Sequence, residues 1–185
     1  MSTACPASPD SDPRTGPMRL EEQRLRRLAW GLSIAGLVPF ALGTLGVWMF
    51  RHPFDSMALH AQMSYGAVIL SFLGAVHWGL ALRIPGGTPR VLLMWGIVPP
   101  LAGWVALAFG PPLQHGVMML AFLAAFSADH RAVLSGFAPP WYARLRLMLT
   151  TAVLVLVAAS GLRYIVFPLV DAFTLVPAMA EGIAV

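Results

Sequence analysis

The fold of this chain is decided by the segment Leu59–Arg83, LHAQMSYGAVILSFLGAVHWGLALR. An α-helix rises about 1.5 Å per residue, so about 20 apolar residues suffice to cross the hydrocarbon layer of a bilayer. The segment exceeds that length, carries a histidine at His77 and ends on a basic residue, Arg83. We therefore predict a transmembrane helix here.

The composition of the whole chain agrees with a membrane protein. Of its 185 residues, 58% are hydrophobic and 11% are charged, and the mean hydropathy is +0.73, outside the balance of soluble domains. The net charge of +4 comes from arginines that flank the apolar runs, so it indicates topology, and we expect no nucleic-acid partner. The single cysteine, Cys5, cannot form a disulfide within one chain.

Further apolar runs give a predicted all-α integral membrane bundle of five transmembrane helices. The predicted helices span residues 28–50, 59–83, 91–109, 113–134 and 147–167. Residues 1–27 are polar and rich in Pro, Ser and Arg, which predicts a disordered basic tail whose last turns form a surface helix. Residues 168–185 are apolar but interrupted by prolines and acids, which favours an interfacial tail over a sixth span.

The arginines predict the orientation of the bundle. With the N-terminus in the cytoplasm, only Arg51 and Arg163 lie outside, and the other ten of the twelve basic residues, all of them arginine, lie inside. Every loop then obeys the positive-inside rule. We predict a multi-pass protein with a cytoplasmic N-terminus.

Small residues recur at every fourth position of the second predicted helix, which places them in one stripe. These residues are Ala67, Ser71, Ala75 and Gly79. Such a stripe predicts a helix-packing seam where another backbone approaches closely. His77 points about 160–200° away from it, and we expect it to be neutral and hydrogen-bonded. Two interpretations stay open: a structural histidine, or a ligand or proton contact.

Prolines predict breaks in two helices. Pro39 lies in the middle of the first span and should kink it. Pro99 and Pro100 lie at the centre of the third span and free backbone carbonyls that need other partners, so we expect this helix to be broken or sharply bent. The break is either an architectural kink or the lining of a substrate site.

Polar residues at the cytoplasmic ends of the second and fourth predicted helices form a candidate cluster. Its members are His77, Arg83, Asp129, His130 and Arg131. One interpretation is an inner-leaflet site in which Asp129 orients a histidine and an arginine meets an anionic headgroup or a quinone-like carbonyl. The other is a salt-bridged helix end. Residues expected at the headgroup level are Trp78, Trp141, Tyr142, Arg144 and Arg146.

The histidines also suggest a haem site, because His60 and His115 begin two helices that later carry His77 and His130. His60 and His77 differ by a rotation of about 260° and so do not share a face. This rotation disfavours a diheme site, and we predict no cofactor; a single haem between His77 and His130, or a quinone, stays open as an alternative. No catalytic motif and no metal-binding motif is found in the sequence.

The run YGAVILSFLG at residues 65–74, followed by His77-Trp78-Gly79, resembles a family of small bacterial membrane proteins of unknown function that includes the eukaryotic transmembrane protein 69. Further points of resemblance are Val98-Pro99, Trp104 and Pro140-Trp141-Tyr142. The resemblance implies a location in the bacterial inner membrane. It brings no established activity and no catalytic residue.

These observations favour a non-enzymatic protein that binds membrane lipids or a membrane-protein partner and aids assembly of a membrane complex. One alternative is a redox or proton-handling protein that uses the His/Asp/Arg cluster. Another is a small-molecule carrier formed by a homo-oligomer around the Pro99-Pro100 helix.

Overall fold

The structure is a computed structural model. It describes the backbone of residues 15–82, 90–136 and 139–182, and the side chains of 20–82, 90–136, 139 and 141–167. The first fourteen residues of the predicted tail, Arg83 and the last three residues lie outside this range. The chain divides into two compact units, Met1–Gly36 and Leu37–Val185.

Six helices account for the regular structure of the described residues, and these residues contain no strand. The helices are α1 (Thr15–Ala35), α2 (Val38–Met49), α3 (Phe54–Leu82), α4 (Arg90–Ala106), α5 (Leu113–Leu134) and α6 (Pro140–Gly182). The predicted all-α membrane bundle is therefore confirmed. The bounds of α5 are those predicted.

Among the described residues, four helical stretches are long and apolar enough to cross a membrane: Leu20–Met49, Phe54–Leu82, Leu113–Leu134 and Trp141–Phe167. The third predicted span, residues 91–109, corresponds to α4, which is apolar but has only 17 residues. Tighter i to i+3 hydrogen bonds continue it from Leu107 to Phe109, where the prediction ends the helix.

The first predicted span is divided between the end of α1 and the whole of α2. In the N-terminal unit, α1 runs to Ala35. The second unit begins at Leu37, and Pro39 lies in the first turn of α2. Proline lacks an N–H and is tolerated at a helix start, where that N–H has no helical partner. The proline therefore marks a new helix start.

At the other end of the chain, α6 continues past the predicted end at residue 167 and reaches Gly182. Among the residues whose side chains are described, the stretch Trp141–Phe167 of α6 is apolar and long enough to span a membrane. The interfacial placement of residues 168–185 stays a prediction.

Within the second unit, α2 packs on α3, α3 on α4, α4 on α5, α5 on α6 and α6 on α2, and α3 also contacts α5. Consecutive helices are antiparallel. The ends of α3 and α5 therefore lie with the starts of α4 and α6, and we call this the arginine end because it carries Arg90, Arg131, Arg144 and Arg146. The centre is apolar, with the Phe40 ring edge-on to Tyr65 and Phe122 at centroid distances of 5.2 and 5.9 Å.

Glycine allows α3 and α4 to cross closely. A Cβ atom on Gly74 would overlap the carbonyl oxygen of Gly96 and lie 2.8 Å from Pro100 Cγ. Pro100 has no N–H to offer the Gly96 carbonyl four residues earlier, so that oxygen is free to face the backbone of α3, where a Cα–H can contact it. This contact requires a residue without a Cβ atom at position 74.

The third span is not broken at the prolines, because α4 is one continuous helix through Pro99 and Pro100; the alternative of a sharp bend stays a prediction. Pro99 is fully buried, and Pro100 packs on Gly74. Packing of α3 over the two prolines supplies neighbours for a carbonyl that the proline ring leaves without a helical bond.

Most of the predicted packing seam is exposed within this chain, and its packing against another helix stays a prediction. Ser71, Ala75 and Gly79 are exposed, and a Cβ atom on Gly79 would meet nothing within 4 Å. Ala67 alone contacts a neighbour, lying 3.3 Å from the Cβ position of Gly103. The buried face of α3 is instead the one that carries His77, and α3 packs against the three helices α2, α4 and α5.

Hydrogen bonds join α2 to α3 and α6 along the bundle. The buried Gln62 side chain donates to Phe40 O at 3.1 Å and to Thr44 Oγ1 at 2.8 Å. The Thr44 hydroxyl lies 3.0 Å from Leu156 O, and Trp48 Nε1 donates to Ala159 O at 3.0 Å. These polar contacts fix the register of the three helices, since each group would otherwise lie unpaired in an apolar surrounding.

Arg163 lies at the end of the bundle opposite the arginine end. Its side chain is largely buried. The guanidinium donates to Val47 O and to Phe50 O at the end of α2, and lies 3.5 Å from Asp55 Oδ2 at the start of α3. The last carbonyls of a helix have no N–H donors within the helix, and Arg163 supplies the donors for the end of α2.

We expect Arg163→Gln to destabilise the protein by about 1 kcal/mol, because it removes hydrogen bonds to the end of α2. The exposed Arg51 is the matched control, and Arg51→Gln should leave stability unchanged. Thermal unfolding in mild detergent measures both. Equal midpoints for the two variants would contradict the assignment.

Candidate functional site

A buried carboxylate, Asp129 of α5, lies at the centre of the candidate site. Its side chain is only 4% exposed. Oδ2 accepts a hydrogen bond from Arg146 Nε, and Oδ1 accepts one from the Tyr142 hydroxyl at 3.3 Å. Both donors lie on α6, one turn apart, so α6 presents a phenol and a guanidinium to the same carboxylate.

His77 of α3 approaches Asp129 from the other side. Its Nε2 atom lies 3.6 Å from Asp129 Oδ1, and the side chain is 2% exposed. Its Nδ1 atom lies 3.1 Å from the Leu73 carbonyl, one turn earlier in the same helix. The expected hydrogen bond of His77 is thus present. Its protein partner is the backbone of its own helix.

The site joins three helices through one carboxylate. Asp129 and Arg146 carry opposite charges, and a buried ion pair of this kind is tolerated only when its geometry is good. Two buried nitrogen atoms at the site, His77 Nε2 and Arg146 Nη2, have no hydrogen-bond partner among the described residues. The site therefore retains unused capacity to bind a proton or a hydrogen-bonding group.

Of the predicted cluster, the structure brings together His77 and Asp129. His130 and Arg131 are exposed; His130 stacks on Phe126 at 6.1 Å, and the Arg131 guanidinium lies 5.6 Å from the centre of the Trp95 ring. Consecutive helical residues diverge by about 100°, so three residues in a row cannot all face the same neighbour. His130 and Arg131 are therefore not part of the site.

Arg146 and Tyr142 were expected at the headgroup level, which stays a prediction; the structure shows that the Arg146 side chain is buried against Asp129. Tyr142 is partly buried on the same carboxylate. Their spacing of four residues was the available signal, because it places both on one face of α6. Of the other interfacial residues, Arg144 and Trp78 are exposed and Trp141 is partly buried.

The remaining described histidines are separated from one another. His60 is exposed, whereas His115 is buried at 6.0 Å from the Tyr164 ring. Both ring nitrogens of His115 and the Tyr164 hydroxyl lack partners among the described residues. In this part of the chain no group of three His, Cys, Asp or Glu residues is placed to hold a metal ion.

Comparison with known proteins gives a family and two named relatives. A family profile described as "Protein of unknown function (DUF3429)" matches residues 25–162. The chain is 31% identical over 141 residues to transmembrane protein 69 of Xenopus tropicalis, covering 74% of this chain and 54% of the relative. It is 27% identical over 121 residues to transmembrane protein 69 of Mus musculus, covering 64% and 49%.

The chain thus spans about half the length of these relatives. No solved structure matches it.

Proposed function

The chain belongs to the DUF3429 family of membrane proteins of unknown function, and from this premise we propose that it is a non-enzymatic protein that binds anionic phospholipid at the arginine end. In this proposal the arginine end lies at the cytoplasmic leaflet of a bacterial inner membrane. No cofactor takes part. Lipid bound there would hold the bundle in place and support assembly with a membrane-protein partner.

The observation that carries the proposal is the uncompensated charge of Arg131. The nearest acid along the chain, Asp129, is occupied by Arg146. Arg131 itself is exposed and stacked over Trp95, and no described carboxylate lies within ion-pair distance of it. An arginine held on an aromatic ring retains its donors for a phosphate.

Two further exposed arginines lie at the same end. Arg90 is the first residue of α4, and Arg144 lies in the first turns of α6. At the opposite end, Arg163 is occupied by carbonyls and by Asp55, and Arg51 is exposed. Basic residues at the surface of an anionic leaflet each contribute about 1 kcal/mol of attraction. The charge asymmetry therefore favours an anionic lipid over a zwitterionic one.

We expect Arg131→Gln to weaken binding of phosphatidylglycerol about fivefold, the equivalent of about 1 kcal/mol. The double variant with Arg144→Gln should weaken it further. Native mass spectrometry of the full chain, titrated with phosphatidylglycerol or phosphatidylcholine, measures the retained lipid. Arg51→Gln is the matched control and should bind as the wild type does.

Equal retention of the two lipids by the wild type would overturn the proposal. So would equal binding by Arg131→Gln and Arg51→Gln. The same spectra report the number of chains, so a homo-oligomer or a co-purified protein partner would be seen as an added mass.

A further inference from the structure

We propose that His77 and Asp129 form a proton-binding site inside the bundle. The site is occupied when His77 Nε2 carries a proton and donates it to Asp129 Oδ1. It is empty when Nε2 is unprotonated. The proton comes from water, and no electron moves in either direction.

The argument begins with the tautomer of His77. Its Nδ1 atom lies 3.1 Å from the Leu73 carbonyl oxygen, and a carbonyl can only accept a hydrogen bond. Nδ1 therefore carries the hydrogen. In the neutral imidazole the other nitrogen, Nε2, then has a lone pair and no hydrogen.

That lone pair faces a carboxylate. Nε2 lies 3.6 Å from Asp129 Oδ1, both groups are buried, and Nε2 has no partner among the described residues. Two acceptors that face each other repel, and 3.6 Å is too long for a hydrogen bond. A proton on Nε2 converts the repulsion into a charge-assisted hydrogen bond, whose usual length is about 2.8 Å. Proton binding thus draws α3 towards α5.

The charged groups at the site are the Asp129 carboxylate, 3.6 Å from His77 Nε2, and the Arg146 guanidinium bound to that carboxylate. Tyr142 is a neutral donor to the same Oδ1, which has a second lone pair to accept from His77. The helix α2 contains no ionisable residue, and the only one in α4 is Arg90 at its first position. His77 therefore takes up or releases one proton beside Asp129, and the charges of the other groups do not change.

Asp129 remains ionised in both forms, because Arg146 Nε donates to Oδ2 whether or not His77 is protonated. The cluster changes from neutral to singly positive when it takes up the proton. The neutral His77 expected from the sequence is thus the empty form of the site.

The test is solid-state NMR of the full chain in lipid nanodiscs, with ¹⁵N-labelled histidine, over a range of pH. We expect Nδ1 of His77 to be protonated throughout. Nε2 should change from unprotonated to protonated as the pH falls, while the ¹³C shift of Asp129 stays that of a carboxylate. His77→Gln identifies the signal by its loss, and His60→Gln, an exposed site on the same helix, should leave it unchanged.

If His77→Gln does not fold, a contact from Nδ1 to a ¹³C-labelled leucine carbonyl identifies the signal in the wild type. The proposal is overturned if Nε2 stays unprotonated at every pH at which the protein is folded. It is also overturned if Nδ1 is the unprotonated nitrogen, or if Asp129 takes the proton in place of His77.

Discussion

Replacing Asp129 by asparagine is expected to destabilise the protein by about 3–5 kcal/mol, the usual effect of removing one partner of a buried ion pair. Asparagine has nearly the same shape, so packing is preserved and the charge is the main difference. Arg146 would then be a buried cation without an anion; its side chain is only 8% exposed. The three helices α3, α5 and α6 would lose their common contact at the arginine end.

The measurement is the unfolding midpoint in mild detergent, with denaturant titration to obtain the free energy. Asp55→Asn is the matched control. Asp55 contacts Arg163 at 3.5 Å, but Arg163 retains the carbonyls of Val47 and Phe50, so the loss should be about 1 kcal/mol or less.

A double variant separates the charge from the packing. Asp129→Leu combined with Arg146→Met replaces the ion pair by apolar side chains, and such replacements are often neutral or stabilising. We expect the double variant to recover most of the stability that Asp129→Asn loses. If Asp129→Asn and Asp55→Asn lower stability equally, Asp129 is not the ion-pair centre described above.

The sequence predicts the helices well because the signal for them is local. Apolar length alone sets the start and end of α5, and it places one apolar, span-length stretch within α6. The same logic brings His77 and Asp129 to one end of the bundle, since both lie near the ends of helices that point the same way. Local hydropathy and helix direction are thus sufficient to predict the fold class and to place His77 and Asp129 at the same end of the bundle.

The place of Arg146 in the site depends on which helices are neighbours, and one sequence does not contain that information. Arg146 reads as a headgroup-level arginine because it follows a loop with aromatic residues, the pattern of an interfacial segment. In the structure α6 packs on α5, so Arg146 turns inward to Asp129. A buried carboxylate such as Asp129 needs a cationic partner. Because α6 packs on α5, Arg146 lies close enough to be that partner.

The packing seam is a second case of the same kind. Small residues at Ser71, Ala75 and Gly79 allow a close approach, but they do not bring a neighbour to it. In α3 the close approach is at Gly74, which faces the carbonyl oxygen of Gly96. That oxygen is available for the contact because Pro100 has no N–H to bond it. The sequence of one helix does not show which of its glycines faces an unbonded carbonyl of another helix.

Gly74 and Gly79 of α3 have different surroundings, and this difference gives the second prediction with a large expected effect on stability. We expect Gly74→Ala to destabilise the bundle by about 3 kcal/mol, at the upper end of the usual effect of overpacking. The added methyl would overlap the Gly96 carbonyl and lie 2.8 Å from Pro100 Cγ. Neither is the end of a flexible side chain, so α3 and α4 must separate.

Gly79→Ala is the matched control, because it adds the same methyl to the same helix where nothing lies within 4 Å. Alanine favours a helix over glycine by about 1 kcal/mol, so this variant should be as stable as the wild type or more stable. Unfolding of both variants in the same detergent measures the difference. If Gly74→Ala is also neutral, α3 and α4 do not cross at Gly74 and Gly96. If Gly79→Ala is the destabilising one, the exposed stripe is a packing seam after all, and its partner is another chain.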